Sequence, residues 1–124
     1  MTTDKVVDAS AIAAILFDEA ERDLVVVRIE AFTLHAPFLL EHEIANVCIK
    51  KMKRLPAEAD RYILAANSLR HFDIRFHRIA TPAVAILALR SGLSAYDASY
   101  LWLARELGAE LVTLDKRLEQ AAQS

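Results

Sequence analysis

The sequence predicts an α/β domain in which a central parallel sheet of four strands, with room at most for a very short fifth, is covered by helices on both faces. Three observations carry this. Short runs rich in β-branched and apolar residues, at Lys5-Val6-Val7, Thr33-Leu34-His35-Ala36, His71-Phe72-Asp73-Ile74-Arg75-Phe76 and Glu110-Leu111-Val112-Thr113-Leu114, alternate with longer stretches of helical periodicity. Helices of that length between strands imply right-handed crossovers, which gather the carboxyl ends of parallel strands on one side. Two of the runs then end in an aspartate, Asp8 and Asp115, where open α/β sheets place their chemistry.

Helix formers dominate Ala11-Ile12-Ala13-Ala14-Ile15-Leu16-Phe17, with Ser10 available as its cap. The acidic stretch Asp18 to Asp23 reads as a solvated helix start. In Leu24-Val25-Val26-Val27-Arg28-Ile29 the β-branched residues suit a strand, but the flanking residues extend a helical pattern, and a helix is expected. Apolar residues on more than one of its faces would fit burial against a partner subunit as well as the core. Pro37 fixes a turn into a long helix, Phe38 to Arg54, whose Leu40, Ile44, Val47, Cys48 and Met52 make the apolar face, with Glu43, Asn46 and Lys50 on the neighbouring stripe. Pro56 opens a helix to about Arg70, and the alternating run from His71 reads as a strand near a sheet edge. Pro82 starts a helix through Leu89 that Gly92 ends. Ser94-Ala95-Tyr96-Asp97 leads into Ala98 to Leu107, the most amphipathic segment, closed by Gly108; a short helix from Lys116 to about Ala122 follows the last strand.

A chain of 124 residues with 55% hydrophobic residues, two glycines and three prolines suits one compact domain spanning 1–124. No basic region followed by an apolar core marks a signal peptide, and no apolar run approaches the roughly 20 residues that cross a bilayer, so a cytoplasmic protein with no membrane contact is expected. The single Cys48 agrees, having no partner for an internal disulfide. A formal charge of −2 is not that of a strongly basic nucleic-acid binder, but acids gathered in one pocket with cations around its mouth would leave the same balance.

Glu43 and Asp97 join Asp8 and Asp115 as residues near the starts of elements flanking the same edge. Each acid singly has a plain structural role: Asp8 and Asp115 as helix caps, Asp97 in the capping box Ser94-x-x-Asp97, Glu43 as a solvated helix residue. Together they can converge on one cleft, where four carboxylates repel one another unless a cation neutralises them. Hard oxygen ligands suit magnesium or manganese; His35, His42, His71 and His77 lack zinc-ligand spacing, and Cys48 reads as core. No serine sits in a nucleophile elbow. A phosphoaccepting receiver domain would want paired early acids and an aspartate ending the third strand, and a haloacid-dehalogenase-type phosphatase a second aspartate where Ser10 stands. The pocket therefore points to phosphodiester hydrolysis. Lys50, Lys51, Lys53 and Arg54, with Arg75 and Arg90, are candidates to contact phosphate, or are ordinary cations at a helix end and on the surface.

Val6-Val7-Asp8-Ala9-Ser10, Glu43-Ile44-Ala45-Asn46-Val47, Leu93-Ser94-Ala95-Tyr96-Asp97-Ala98 and Leu111-Val112-Thr113-Leu114-Asp115, in that order, resemble the PIN-domain ribonucleases, and more narrowly the VapC toxins of toxin–antitoxin pairs. The resemblance implies a PIN-like three-layer α/β/α fold and a metal-dependent endoribonuclease, the toxin of a VapBC-type system. It implies that Asp8, Glu43, Asp97 and Asp115 form the catalytic quartet holding Mg2+ or Mn2+, with Ser10, Asn46 and Thr113 supporting the pocket through hydrogen bonds behind the acids. It also implies an RNA substrate, a homodimer, and a cognate antitoxin that wraps the toxin and occludes the acids. The competing expectations are a PIN-like binding module without catalysis and a stand-alone nuclease without an antitoxin.

Overall fold

Four short strands build the sheet because the apolar runs Val6-Val7, Leu34, Ala36 and Leu111-Val112 bury on it from both sides. In the computed structural model, which describes residues 3–124, they are β1 (Asp4–Val7), β2 (Thr33–Pro37), β3 (Ile74–His77) and β4 (Glu110–Val112). All pairings are parallel, in the order β3-β2-β1-β4, so β1 is central and β3 lies at an edge as its sequence suggests. The register places Val6 opposite both His35 and Leu111. No fifth strand forms among the described residues.

Alternation along β1 divides the core. Val7 faces one helical layer, formed by α1 (Ala9–Leu16), α2 (Arg22–Ile29), α3 (Leu39–Arg54) and α4 (Ala59–Asn67), and packs with Ile12, Val25, Leu40, Ile44 and Cys48. Val6 faces the other, formed by α5 (Thr81–Ser91), α6 (Ala95–Leu107) and α7 (Lys116–Gln123), and packs with Leu101, Leu111 and Leu118. The result is the expected three-layer α/β/α sandwich. Cys48 is buried, its thiol against the Tyr62 carbonyl. No helix among the described residues is long and apolar enough to cross a membrane.

Several boundaries differ from the sequence expectation, each for an identifiable reason. The first helix starts at Ala9 because Asp8, not Ser10, is its cap. Asp18 to Asp23 is mostly turn, with Asp18 in the left-handed region at φ 52°, a conformation that aspartate tolerates better than most residues. Leu24–Ile29 is helical, as expected, and leaves Leu24 and Val27 exposed. Pro56 begins a 3-10 turn before α4, and α4 stops at Asn67 rather than Arg70. There a second 3-10 turn, Ser68–His71, delays the third strand to Ile74. The α6 helix is buried around most of its surface rather than strongly two-faced, since it lies between the sheet, α5 and α7. The ladder of β4 ends at Val112, where the Asp8 amide takes the Val112 carbonyl at 3.3 Å and the two chains part.

Strand pairing also joins residues that lie 42 apart. His35 Nδ1 meets His77 Nε2 at 2.8 Å, and His35 Nε2 meets Asp4 Oδ1 at 2.9 Å, a chain crossing three strands. Burial, then the neighbouring His35, holds His77 below its ordinary pKa. The folded state thus binds fewer protons than the unfolded one, so this contribution to stability is present above about pH 6.5 and is lost as the pH falls through the folded value. Relative to His77→Gln, the wild type should lose more melting temperature on acidification below about pH 6.5; equal slopes would remove His77 as a source. Leu40, fully buried in the α3 layer, should cost about 2–5 kcal/mol as Leu40→Ala in urea unfolding.

Candidate functional site

The acidic edge is built outward from Asp8. After β1 the backbone stays extended at Asp8 (φ −101°, ψ 177°), which lets its carboxylate turn back over the first turn of α1. Oδ1 accepts the Ala11 amide at 3.1 Å and the Ser10 hydroxyl at 2.7 Å, and Oδ2 accepts the Thr113 hydroxyl at 2.5 Å. Those hydroxyls accept in turn: Ser10 Oγ from the Leu114 amide at 2.9 Å, Thr113 Oγ1 from the Asp115 amide at 3.0 Å. The exit of β4 is thereby tied to the exit of β1. Burial raises the Asp8 pKa, the Thr113, Ser10 and Ala11 hydrogen bonds pull it back, and the charge of Asp115 adds to the rise.

Glu43 reaches the same edge from the second turn of α3. Its Oε1 accepts the hydroxyl of Tyr100 at 2.5 Å, and Tyr100 is only 1% exposed, so a rigid buried phenol fixes the carboxylate. Burial raises the Glu43 pKa; the Tyr100 bond opposes this, and Asp97 and Asp8 reinforce it. Burial, then Glu43, pushes the Tyr100 phenol well above its usual range, keeping it a donor. Asp97 lies in the first turn of α6, its amide held by Ser94 Oγ at 3.1 Å. Burial and Asp115 raise its pKa, and Arg117 lowers it. Asp115 is exposed and caps α7, its Oδ1 accepting the Arg117 and Leu118 amides at 2.9 and 3.1 Å. The fold brings the four acids within electrostatic reach of one another.

Capping and convergence are both realised: Asp8 and Asp115 cap helices with one oxygen each and still face the edge. Ser10 and Thr113 hydrogen-bond the two oxygens of Asp8. Asn46 does not; it is exposed, makes no side-chain hydrogen bond among the described residues, and lines an open cleft with Glu43. The expected support for Glu43 comes instead from Tyr100, whose sequence signal is its spacing of three from Asp97 on one helix. Lys51 is taken by Glu19 at 3.0 Å and lies over the Phe17 and Tyr62 rings, which removes it from the proposed phosphate patch. Lys50, Lys53 and Arg54 are exposed, but at 1.5 Å rise per residue they sit about 10–17 Å along α3 from Glu43. Arg75 and Arg90 line other clefts, away from the acids. The cation beside the quartet is Arg117, anchored on the Gly92 carbonyl at 2.5 Å, which no motif in the sequence singled out.

Among the described residues no three His, Cys, Asp or Glu side chains form a closed group ready to hold one ion. The donor chemistry nevertheless fits magnesium or manganese. Magnesium keeps several waters and is commonly held by one or two protein carboxylates plus substrate phosphate; burial, with a smaller addition from the neighbouring acids, raises Asp8, Glu43 and Asp97, and a cation would offset both.

Comparison with known proteins bears on the family and the fold. The PIN domain family matches the chain over residues 5–123. The chain is 40% identical to the VapC ribonuclease Mb0985 of Mycobacterium bovis, covering 96% of this chain and 91% of that protein. It is 35% identical to ribonuclease VapC3 of Pyrobaculum aerophilum, covering 93% and 92%. Its fold superposes on the crystal structure of PAE2754 from Pyrobaculum aerophilum with a TM-score of 0.72 at 26% identity, over 99% of this chain and 89% of that one. A single α/β/α sheet with its acids at the carboxyl edge, matched by the family along nearly its whole length, places this chain in the PIN-domain family, among the VapC ribonucleases.

Proposed function

We propose that the protein is a metal-dependent endoribonuclease, the toxin of a VapBC-type toxin–antitoxin pair, with Asp8, Glu43, Asp97 and Asp115 as its catalytic and metal-holding residues. The observation that carries this reading is the buried Asp8 carboxylate, held by Ser10, Thr113 and the Ala11 amide at an edge that three further acids share. The relatives named as ribonucleases support the substrate class.

Magnesium or manganese held at the quartet supplies charge neutralisation for the phosphate and acidifies the attacking water. The chain's own groups do the rest. Ser10 and Thr113 hold both oxygens of Asp8 in fixed directions, so the carboxylate is oriented before substrate arrives. Tyr100 does the same for Glu43. One acid of the edge accepts the water's proton, the water oxygen bonds to phosphorus, and the bond from phosphorus to the 3′ oxygen breaks; the departing 3′ oxygen takes a proton from solvent, leaving a 5′-phosphate and a 3′-hydroxyl. Arg117 sits where its charge offsets that of Asp97. Lys50, Lys53 and Arg54 lie far enough along α3 to serve only an extended strand of RNA, as an outlying phosphate contact.

A cytoplasmic homodimer inhibited by a cognate antitoxin completes the reading. It is supported by apolar residues left in solvent on α2 (Leu24, Val27) and on α5 (Ile86, Leu89), of which Leu89 is 85% exposed. The second reading is a PIN-like binding module without catalysis; among the described residues no three candidate ligands form a closed group.

Incubation of the protein with single-stranded and structured RNA separates the two. Cleavage is expected with magnesium or manganese, none with a chelator, and none from Asp8→Asn, whose circular dichroism should match wild type. Absence of both cleavage and calorimetric metal binding would leave the binding-module reading. Thr113→Val and Tyr100→Phe, which loosen Asp8 and Glu43 without removing an acid, should each cost about 10–100-fold in metal affinity or rate; titration calorimetry and initial rates measure this.

A further inference from the structure

Beside Glu43 lies a cleft of about 370 Å³ lined by Leu39, His42, Glu43, Asn46 and Tyr96, at the low end of the roughly 300–1,000 Å³ range of ligand pockets. Leu39, His42, Glu43 and Asn46 project from one side of α3 at spacings of three and four, and Tyr96 faces them from the first turn of α6. Two features of this cleft have no structural purpose in the fold. Tyr96 is 62% exposed, whereas Tyr62 and Tyr100 are buried at 8% and 1%. His42, Asn46 and Tyr96 also make no side-chain hydrogen bond or ion pair among the described residues, although they stand together.

We propose that this cleft is a subsite for one unpaired nucleobase of the RNA, next to the phosphate being cut, with Tyr96 as its stacking platform and Asn46 reading the base edge. The inference rests on the nuclease reading for its substrate and goes beyond it in naming a base-recognising site. A free aromatic face stacks any base, and an unpartnered carboxamide offers a donor and an acceptor side by side, the pairing that a base edge presents. Leu39 gives the cleft an apolar wall. Glu43 belongs to the cleft and to the acidic quartet alike, and Tyr96 is adjacent in sequence to Asp97, so a base held here puts its own phosphate at the acids. Only a base in a single-stranded or looped segment can enter, because a paired base has neither its face nor its edge free.

The test pairs protein variants with substrate variants. RNA oligonucleotides carrying an abasic nucleotide stepped across the cleavage site are cut by the wild type and by Tyr96→Ala, Tyr96→Phe and Asn46→Ala, with circular dichroism as the folding control. Binding of the same oligonucleotides to Asp8→Asn and to Asp8→Asn/Tyr96→Ala is followed in parallel by fluorescence anisotropy. Tyr96→Ala is expected to weaken binding and lower kcat/KM by about 5- to 150-fold, with Tyr96→Phe restoring most of the loss. One abasic position should cost the wild type a similar factor and cost Tyr96→Ala almost nothing more, and Asn46→Ala should relax the base preference at that position. Losses that simply multiply, or a Tyr96→Ala protein indistinguishable from wild type, would overturn the subsite. If no RNA is cut but the anisotropy coupling at one nucleotide persists, the nuclease reading fails and the subsite stands; if RNA neither binds nor is cut, both fail.

Discussion

The structure depends on keeping one carboxylate buried at the end of its central strand. Asp8 is 5% exposed, and an ionised group so placed is costly unless hydrogen bonds replace the water it has lost. Its partners are a hydroxyl two residues on, a backbone amide three residues on, and the Thr113 hydroxyl 105 residues on. The last of these requires β4 to lie beside β1, and with it the exit loop that carries Asp115. Satisfying Asp8 and assembling the acidic edge are therefore the same act of folding.

That coupling explains why cap and acid roles are not alternatives here. A helix N-terminus favours negative charge, so a carboxylate that caps one is stabilised as an anion while its second oxygen remains available. Asp115 spends only Oδ1 on two amides of α7. Glu43 has no such help from a helix end and receives a phenol instead. The same problem, a carboxylate near other carboxylates, is solved by backbone donors in one case and by a buried side chain in the other.

Around this edge the molecule is uneven. Helices on both faces bury β1, β2 and most of β4 and leave the edge strand β3 partly open, yet large apolar side chains remain in solvent on α2 and α5, and an exposed tyrosine flanks the acids. Cations are similarly dispersed: Lys51 braces the turn after α1, Arg28 pairs with Glu110 at 2.6 Å, and Arg117 stands with the quartet. A net charge of −2 conceals this arrangement, since binding depends on where the charges stand.

The class of fold and the order of the elements were legible in the amino acids alone, and the four acids stood out as candidates there, because these are local signals: a β-branched run ended by an aspartate, helical periodicity, a proline or glycine at a boundary. Even the ambiguous stretch at Leu24–Ile29 followed its helical flanks. Only tertiary structure decided which groups stand behind the acids. Tyr100 rather than Asn46 supports Glu43, Lys51 is withdrawn from the basic cluster by Glu19, and His35 meets His77 and Asp4 across three strands. These pairings join residues 31 to 57 positions apart, and strand register and helix packing, which no local pattern encodes, set their distances. The early stop of β4 has the same origin, since hydrogen bonds from across the sheet take its backbone, whereas at the end of α4 the competing bond is local, from Ser68 Oγ to the Leu64 carbonyl.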